Sequence, residues 1–342
     1  MVVVLLALIA CAAVVSAGFL YQAIGARRDR RLYASSGRWI DIGHKCSLYV
    51  MEKGSGGPTV LFESGIGATN LNWFHIQGIV SRFTSTASYD RSGLGWSSPC
   101  RTARTPGNVA VELHAMLQGA GIKPPYVLVG HSFGGLVMRR YTLLYPEDVA
   151  SVLLVDPMRC EEWPPLNPSK QSELDRGKRL SRYAIPIARF GLARLAVTSL
   201  LCHSGKVAHR LSSVAGDGAR HVIGRVQDEV RKMPEEIRPI VAAHWSRPGF
   251  YAGIRSHVLA VPDTVREMQH AEPIHGIPIM VLTPGKSTPL SGACLNRIGD
   301  NVQQVIAPAS AHWIHLDQPD LVINSIREMV MAATPDAVPV PV

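Results

Sequence analysis

Apolar residues fill the first stretch of the chain almost without interruption. Met1 to Ile24 carries no charged side chain and is mostly Val, Leu, Ala and Ile. About 20 such residues, rising 1.5 Å each, cross the hydrocarbon core of a bilayer, so the pattern predicts an N-terminal transmembrane helix. A secretory signal peptide is the rival reading, because Val15-Ser16-Ala17 resembles a cleavage site and would give a secreted protein. Against cleavage, no basic residue precedes the apolar run, and the run continues through Phe19-Leu20-Tyr21. The favoured expectation is an uncleaved single-pass anchor over residues 1–24. A basic linker over 25–37 follows, carrying Arg27, Arg28, Arg30 and Arg31. The positive-inside rule would place these arginines, and the domain behind them, on the cytoplasmic side.

Shorter apolar runs follow at regular intervals. Arg38 to Ile42 and Lys45 to Val50 flank Gly43-His44 and predict an antiparallel hairpin. Thr59–Phe62, Ser85–Tyr89, Tyr126–Val129, Val152–Val155, Ile279–Leu282 and Gln303–Ile306 read as a run of largely apolar strands. Helical spacing appears between them, at Val109, Leu113, Met116 and Leu117, and again at Leu321, Val322, Ile326 and Met329. Strands alternating with helices predict an α/β domain whose mostly parallel sheet is covered on both faces. From Pro157 to His275 no strand pattern appears. The text there is amphipathic and cut by Pro164-Pro165, Pro186, Pro234, Pro239, Pro248 and Pro262, which predicts several short helices. Such a block, residues 158–275, reads as a helical cap over the carboxyl edge of the sheet, where ligands of open α/β sheets bind. The core is then 38–157 joined to 276–333, and the Pro/Val tail within 334–342 is expected to be disordered.

Composition narrows the function. The 342 residues are 46% apolar and 18% charged, a globular balance, and the formal net charge of +9 is scattered apart from the one arginine cluster. No Lys/Arg block is interleaved with aromatics, so nucleic acid is not an expected partner. The cysteines Cys11, Cys46, Cys100, Cys160, Cys202 and Cys294 show no C-x-x-C spacing. They suggest neither a metal site nor a dense disulfide scaffold, and leave one bridge in an oxidising compartment open.

The chemistry centres on Gly130-His131-Ser132-Phe133-Gly134, a G-x-S-x-G frame between a strand and a helix. Such a turn forces its serine into a strained conformation and exposes the hydroxyl at the sheet edge; small residues two positions away avoid a clash. Ser132 is therefore the candidate nucleophile, and it needs a base and an orienting acid. His312, on the loop after the last strand, is the candidate base. His315 is the alternative, and His131 reads as packing around the turn. Asp156, at the end of Val152–Val155, is the candidate acid, because the loop Thr283 to Pro289 after the next strand holds no carboxylate. Asp300 and Asp263 are the other possibilities. Backbone N–H groups of Phe133 and Ile66 are the expected oxyanion donors. Glu63 either braces the Ser64–Gly67 loop or is an exposed acid, and Asp90 and Arg91 are expected to brace the site through backbone groups.

These motifs, with Tyr89-Asp90-Arg91-Ser92-Gly93-Leu94-Gly95-Trp96-Ser97 and the His312 segment running into Gln318-Pro319, resemble the cap-bearing branch of the α/β-hydrolase fold superfamily. The resemblance spans roughly Arg38 to Ala333. It implies an eight-stranded, mostly parallel sheet with helices on both faces, and hydrolytic activity with no metal and no cofactor. Ser132 departs from epoxide hydrolases and haloalkane dehalogenases, which carry aspartate at that position. Glu63-Ser64-Gly65 departs from the His-Gly of many members, and the usual acid beyond the cap is missing. The expected activity is a serine esterase, carboxylesterase- or lipase-like, acting on a small hydrophobic ester through an acyl-enzyme. Acyl transfer to another acceptor, or a non-catalytic ligand-binding module, are the alternatives.

Overall fold

The computed structural model describes residues 1–159, 168–202 and 230–334. Pro164-Pro165, Cys160 and the tail from Pro335 lie outside the described residues. Eight strands form one sheet in the order β1-β2-β4-β3-β5-β6-β7-β8. They are β1 (Arg38–Asp41), β2 (Ser47–Lys53), β3 (Thr59–Glu63), β4 (Thr86–Asp90), β5 (Tyr126–His131), β6 (Val149–Val155), β7 (Ile279–Pro284) and β8 (Val302–Ala307). The β1–β2 and β2–β4 pairs are antiparallel and every other pair is parallel. The hairpin and each of the six later strands stand where the apolar runs predict them.

The helices are α1 (Val2–Tyr33), α2 (Phe74–Val80), α3 (Pro106–Ala120), α4 (Phe133–Leu144), α5 (Pro168–Arg189), α6 (Leu192–Cys202), α7 (Arg238–Trp245), α8 (Pro248–Gln269), α9 (Gly292–Ile298), α10 (Ile314–Asp317) and α11 (Pro319–Ala332). The central strands are buried on both faces, because successive side chains alternate between two cores. Leu61, Leu128, Leu154 and Val281 pack against Leu113 and Met116 of α3 and Val137 and Tyr141 of α4. Val60, Val127, Val129, Leu153 and Leu282 pack against Ile76 of α2 and Val322 and Ile326 of α11. Each such side chain, fully buried, contributes about 1.5–3 kcal/mol of transfer free energy.

The chain divides into two compact units. One comprises Met1–Ser36 with Leu174–Arg255; the other comprises Gly37–Glu173 with Ser256–Val342 and holds the sheet. The helix bounds and this division differ from three expectations. Residues 25–33 are not a linker but the last turns of α1, where the helix-favouring Ala, Arg and Leu outnumber Gly25 and Asp29. Pro186 and Pro262 do not end helices: each lies inside a 22-residue helix, α5 or α8, whose other turns keep their hydrogen bonds. The insertion also ends earlier than residue 275, because the second half of α8 belongs with the sheet. There His257 meets Phe133 edge-on at 5.4 Å between centroids, and Glu267 accepts a 2.7 Å ion pair from Arg140.

A disulfide joins Cys46, at the start of β2, to Cys100, across a sequence separation of 54 residues. It ties the opening hairpin to the segment that follows β4. Closing a loop of this length removes entropy from the unfolded chain. Replacing both cysteines by serine should therefore lower unfolding free energy by about 2–4 kcal/mol. Urea titration of the oxidised wild type against Cys46→Ser/Cys100→Ser measures the loss; coincident midpoints would rule out a structural bond.

Candidate active site

Ser132 lies between the last residue of β5 and the first of α4, with φ 56° and ψ −119°. Positive φ is costly for a residue with a side chain, and the surroundings hold it. The Ser132 N–H donates to Val155 O at 3.1 Å, and its carbonyl accepts from Met158 N–H at 3.1 Å. The two glycines of the frame have no room for a side chain. A Cβ on Gly130 would fall 2.5 Å from Gly134 O, and one on Gly134 would fall 2.5 Å from Glu63 O. Phe133 begins α4, so its N–H has no acceptor within the helix and lies at the positive end of the helix dipole.

The Ser64–Gly67 loop crosses directly over this turn. A Cβ on Gly65 would lie 3.4 Å from the Cβ of Ser132 and 3.1 Å from His131 Nδ1. Ile66 is therefore next to a residue in close approach to the serine.

Asp156 follows β6 with φ 39°, and its N–H is held by Leu282 O at 2.8 Å. Its Oδ2 is 2.6 Å from His312 Nδ1. The carboxylate side chain is 15% exposed and the imidazole 43%, so the pair has one sheltered and one open end. His312 sits on the loop between β8 and α10. Gln318 Oε1 accepts from Ala309 N–H at 3.0 Å and from the Ser310 hydroxyl at 2.9 Å, while Asp317 Oδ2 accepts from Ala311 N–H at 3.0 Å. The Gln318-Pro319 text thus belongs to the support of this loop.

The alternatives are engaged elsewhere. His315 is buried and stacks on Trp73 at 4.6 Å between centroids. Asp300 accepts from His275 Nδ1 at 2.9 Å and from Gly276 N–H at 3.1 Å. The His275 hydrogen bond, followed by that from Gly276, holds the Asp300 carboxyl below its usual pKa. Asp263 pairs with Arg266 one turn along α8. Asp156 is the carboxylate that the structure brings to His312.

The family model for the alpha/beta hydrolase fold matches residues 58–188 of this chain. Among solved structures, the ligand-free epoxide hydrolase CorEH is similar with a TM-score of 0.63 at 15% identity, covering 87% of this chain and 99% of that one. The chain has the α/β-hydrolase fold. Curated relatives align over a shorter region. The uncharacterized protein YqjL of Bacillus subtilis is 33% identical over 113 residues, which is 33% of this chain and 45% of YqjL. The mouse (lyso)-N-acylphosphatidylethanolamine lipase is 34% identical over 117 residues, 33% of this chain and 32% of the lipase. The chain thus matches less than half the length of either relative.

Two features of this site were left open or missed by the sequence. Glu63 is fully buried, and its Oε1 accepts from Arg91 Nη1 at 2.7 Å and Ser64 N–H at 2.9 Å. Tyr89 donates to the other oxygen, and Arg91 also donates to the carbonyls of Ser64 and Gly65. Burial pushes the Glu63 carboxyl up in pKa, while the Arg91 charge and the hydrogen bonds pull it back. Asp90 works beside them: its Oδ1 accepts from Asn70 N–H at 3.0 Å and its Oδ2 from Trp96 N–H at 2.9 Å. The loop over Ser132 is thus held by charges on β3 and at the end of β4. An acid after an apolar strand looks alike in sequence whether it is buried or exposed, and only the neighbouring Tyr89 and Arg91 hinted at partners.

The second feature is His131. Its Nε2 lies 2.9 Å from the carbonyl oxygen of His312. That acceptor requires the proton on Nε2 of His131. Burial, with His315 and His312 nearby, pushes the His131 pKa well below its ordinary value, so the ring is neutral. The residue before the serine therefore holds the backbone of the candidate base.

Removing Arg91 would leave Glu63 buried without its cation. Arg91→Met is expected to cost about 3–5 kcal/mol of unfolding free energy. Chemical denaturation against the wild type checks it, and a loss below about 1 kcal/mol, the size of an exposed pair, would contradict the brace.

Proposed function

We propose that this protein is a serine hydrolase that cleaves a hydrophobic carboxylic ester through an acyl-enzyme on Ser132. The observations that carry the reading are the 2.6 Å contact between Asp156 and His312 and a serine on a strained strand-to-helix turn. A carboxylate accepting from Nδ1–H fixes the imidazole tautomer and leaves Nε2 as the basic nitrogen. In this mechanism His312 takes the Ser132 proton as Oγ attacks the ester carbonyl. The tetrahedral oxyanion then accepts from the N–H groups of Phe133 and Ile66. His312 next protonates the leaving alcohol, and a water activated by the same imidazole releases the acid. Both charges that form, oxyanion and imidazolium, meet groups that are already oriented, which is where such sites gain most of their rate.

The preference for a hydrophobic ester rests on the membrane reading of α1. Helix α1 is long and apolar enough to cross a bilayer, and we take it as an uncleaved single-pass anchor. The Cys46–Cys100 bond supports placing the domain in an oxidising compartment, the opposite side from the one that the arginine cluster alone predicts.

Labelling with a fluorophosphonate probe tests the nucleophile. We expect strong labelling of the wild type and none of Ser132→Ala; a folded wild type that resists the probe would favour a ligand-binding module on this fold. Ester hydrolysis tests the acid. Asp156→Asn is expected to lower kcat by about 10⁴-fold, the size of tautomer loss in such triads, while Asp300→Asn leaves kcat within about twofold. Equal losses in the two variants would refute the assignment. Chain-length profiling with p-nitrophenyl esters then places the substrate.

A further inference from the structure

The unit containing α1 carries an exposed apolar surface that the catalytic proposal does not use. On α5, Leu180, Tyr183 and Ile187 are 62%, 63% and 46% exposed. Their spacing of i, i+3 and i+7 puts them on one helical face. Leu174, Ser181 and Ala188 on the opposite side are buried, so this is the outward face of a packed helix rather than a frayed one. Leu192 and Leu195 of α6 add a second exposed pair. Arg176, Arg179, Arg182 and Arg189 are exposed along the same stretch of α5. An apolar stripe bordered by arginines is the composition of a helix that lies in the membrane interface, with its side chains at the acyl boundary and its cations among lipid phosphates.

The position of this surface along α1 is what assigns its occupant. The turn between α5 and α6 touches α1 backbone to backbone: a Cβ on Gly18 would fall 2.5 Å from Phe190 O. The Phe19 and Phe190 rings meet edge-on at 4.8 Å, and Gly191, at φ +77°, fits against Tyr21 and Gly18 O. Immediately beyond, the contacts become polar. Gln22 is buried and donates to Ser246 O at 3.0 Å, and Arg194 reaches both Gln22 Oε1 at 3.0 Å and Asp29 at 2.6 Å. Residues 2–17 of α1 are exposed and apolar throughout, apart from Ser16. A bilayer core of about 30 Å takes about 20 helical residues, which brings the end of an α1 span to the place where Phe190 and Gly191 sit. The α5–α6 turn is thus at the boundary between hydrocarbon and headgroups.

We propose that the outward face of α5 and the start of α6 form a second membrane contact, lying in the headgroup layer beside the α1 span and favouring anionic lipid. It rests on the reading of α1 as an uncleaved span. The inserted helices are then not merely tethered near a bilayer but seated on it, with Leu180, Tyr183 and Ile187 replacing water contacts by acyl-chain contacts.

The test uses the full chain in nanodiscs of phosphatidylcholine and phosphatidylglycerol containing a phosphatidylcholine with a photoactivatable diazirine near its acyl carboxyl. Adducts are mapped by peptide mass spectrometry. The expected result is adducts both in residues 2–24 and in residues 179–195. Those in 179–195 should decline when phosphatidylglycerol is omitted or salt is raised. Leu180→Asp/Tyr183→Asp/Ile187→Asp, all at exposed positions, should lose the 179–195 adducts and keep those of α1. Adducts confined to residues 2–24 would overturn the docking surface while leaving the anchor standing. No adducts in either region would overturn both. Chain-to-chain crosslinks at Tyr183 in place of lipid adducts would assign the face to a second copy and likewise overturn the proposal.

Discussion

The close approach of two backbone segments governs this site. Gly134, the second residue of the nucleophile helix, lies so near Glu63 and Ser64 that any side chain would collide with their carbonyls. Gly130 meets Gly134 and Gly135 in the same way. Ser132 reaches φ 56° because the chain must leave β5 and enter α4 inside this contact. The loop that passes over the serine comes from β3, the neighbour of β5. Both segments are therefore set by sheet register, with Glu63 opposite Gly130. Pre-set geometry of this kind is what lets N–H groups act on a developing charge without reorganising.

That contact brings carbonyl groups together, and charge offsets the crowding. Arg91 donates to the carbonyls of Ser64 and Gly65, and Glu63 balances the guanidinium. Here the loop is held by a buried ion pair with Tyr89 as a further donor. Burying two charges is costly unless their hydrogen bonds are complete, and the value of such a pair lies in fixing one loop geometry more than in stability. His131 extends the same logic to the other side of the serine, where its neutral ring holds the carbonyl of His312.

Much of this was legible before any coordinates. Buried parallel strands such as Tyr126–His131 are continuous apolar runs, so their number and order along the chain follow from hydropathy. The carboxylate-free loop after β7 pointed to Asp156, and the structure brings that residue to His312. What could not be read depends on contacts distant in sequence. Nothing local tells that Cys46 and Cys100 meet, that His131 reaches a carbonyl 181 residues away, or that Asp29 belongs to Arg194. The arginine-rich stretch after Ile24 looked like a linker because charge suggests solvent. Most of its residues, Gly25 and Asp29 aside, are sound helix formers, and packing against α6 carries α1 through to Tyr33. Pro186 and Pro262 misled for a related reason, since a packed helix tolerates a lost hydrogen bond that an isolated one would not.

The central claim is that a covalent bond to Ser132 forms and breaks in each turnover. Acid-quenched mass spectrometry of the full chain during hydrolysis of a p-nitrophenyl ester tests it most directly. The account predicts an acyl group on the peptide containing Ser132, formed in step with an initial burst of p-nitrophenol and cleared once the ester is consumed. Steady release of p-nitrophenol with no acylated peptide, or an acyl group on any other residue, would contradict it.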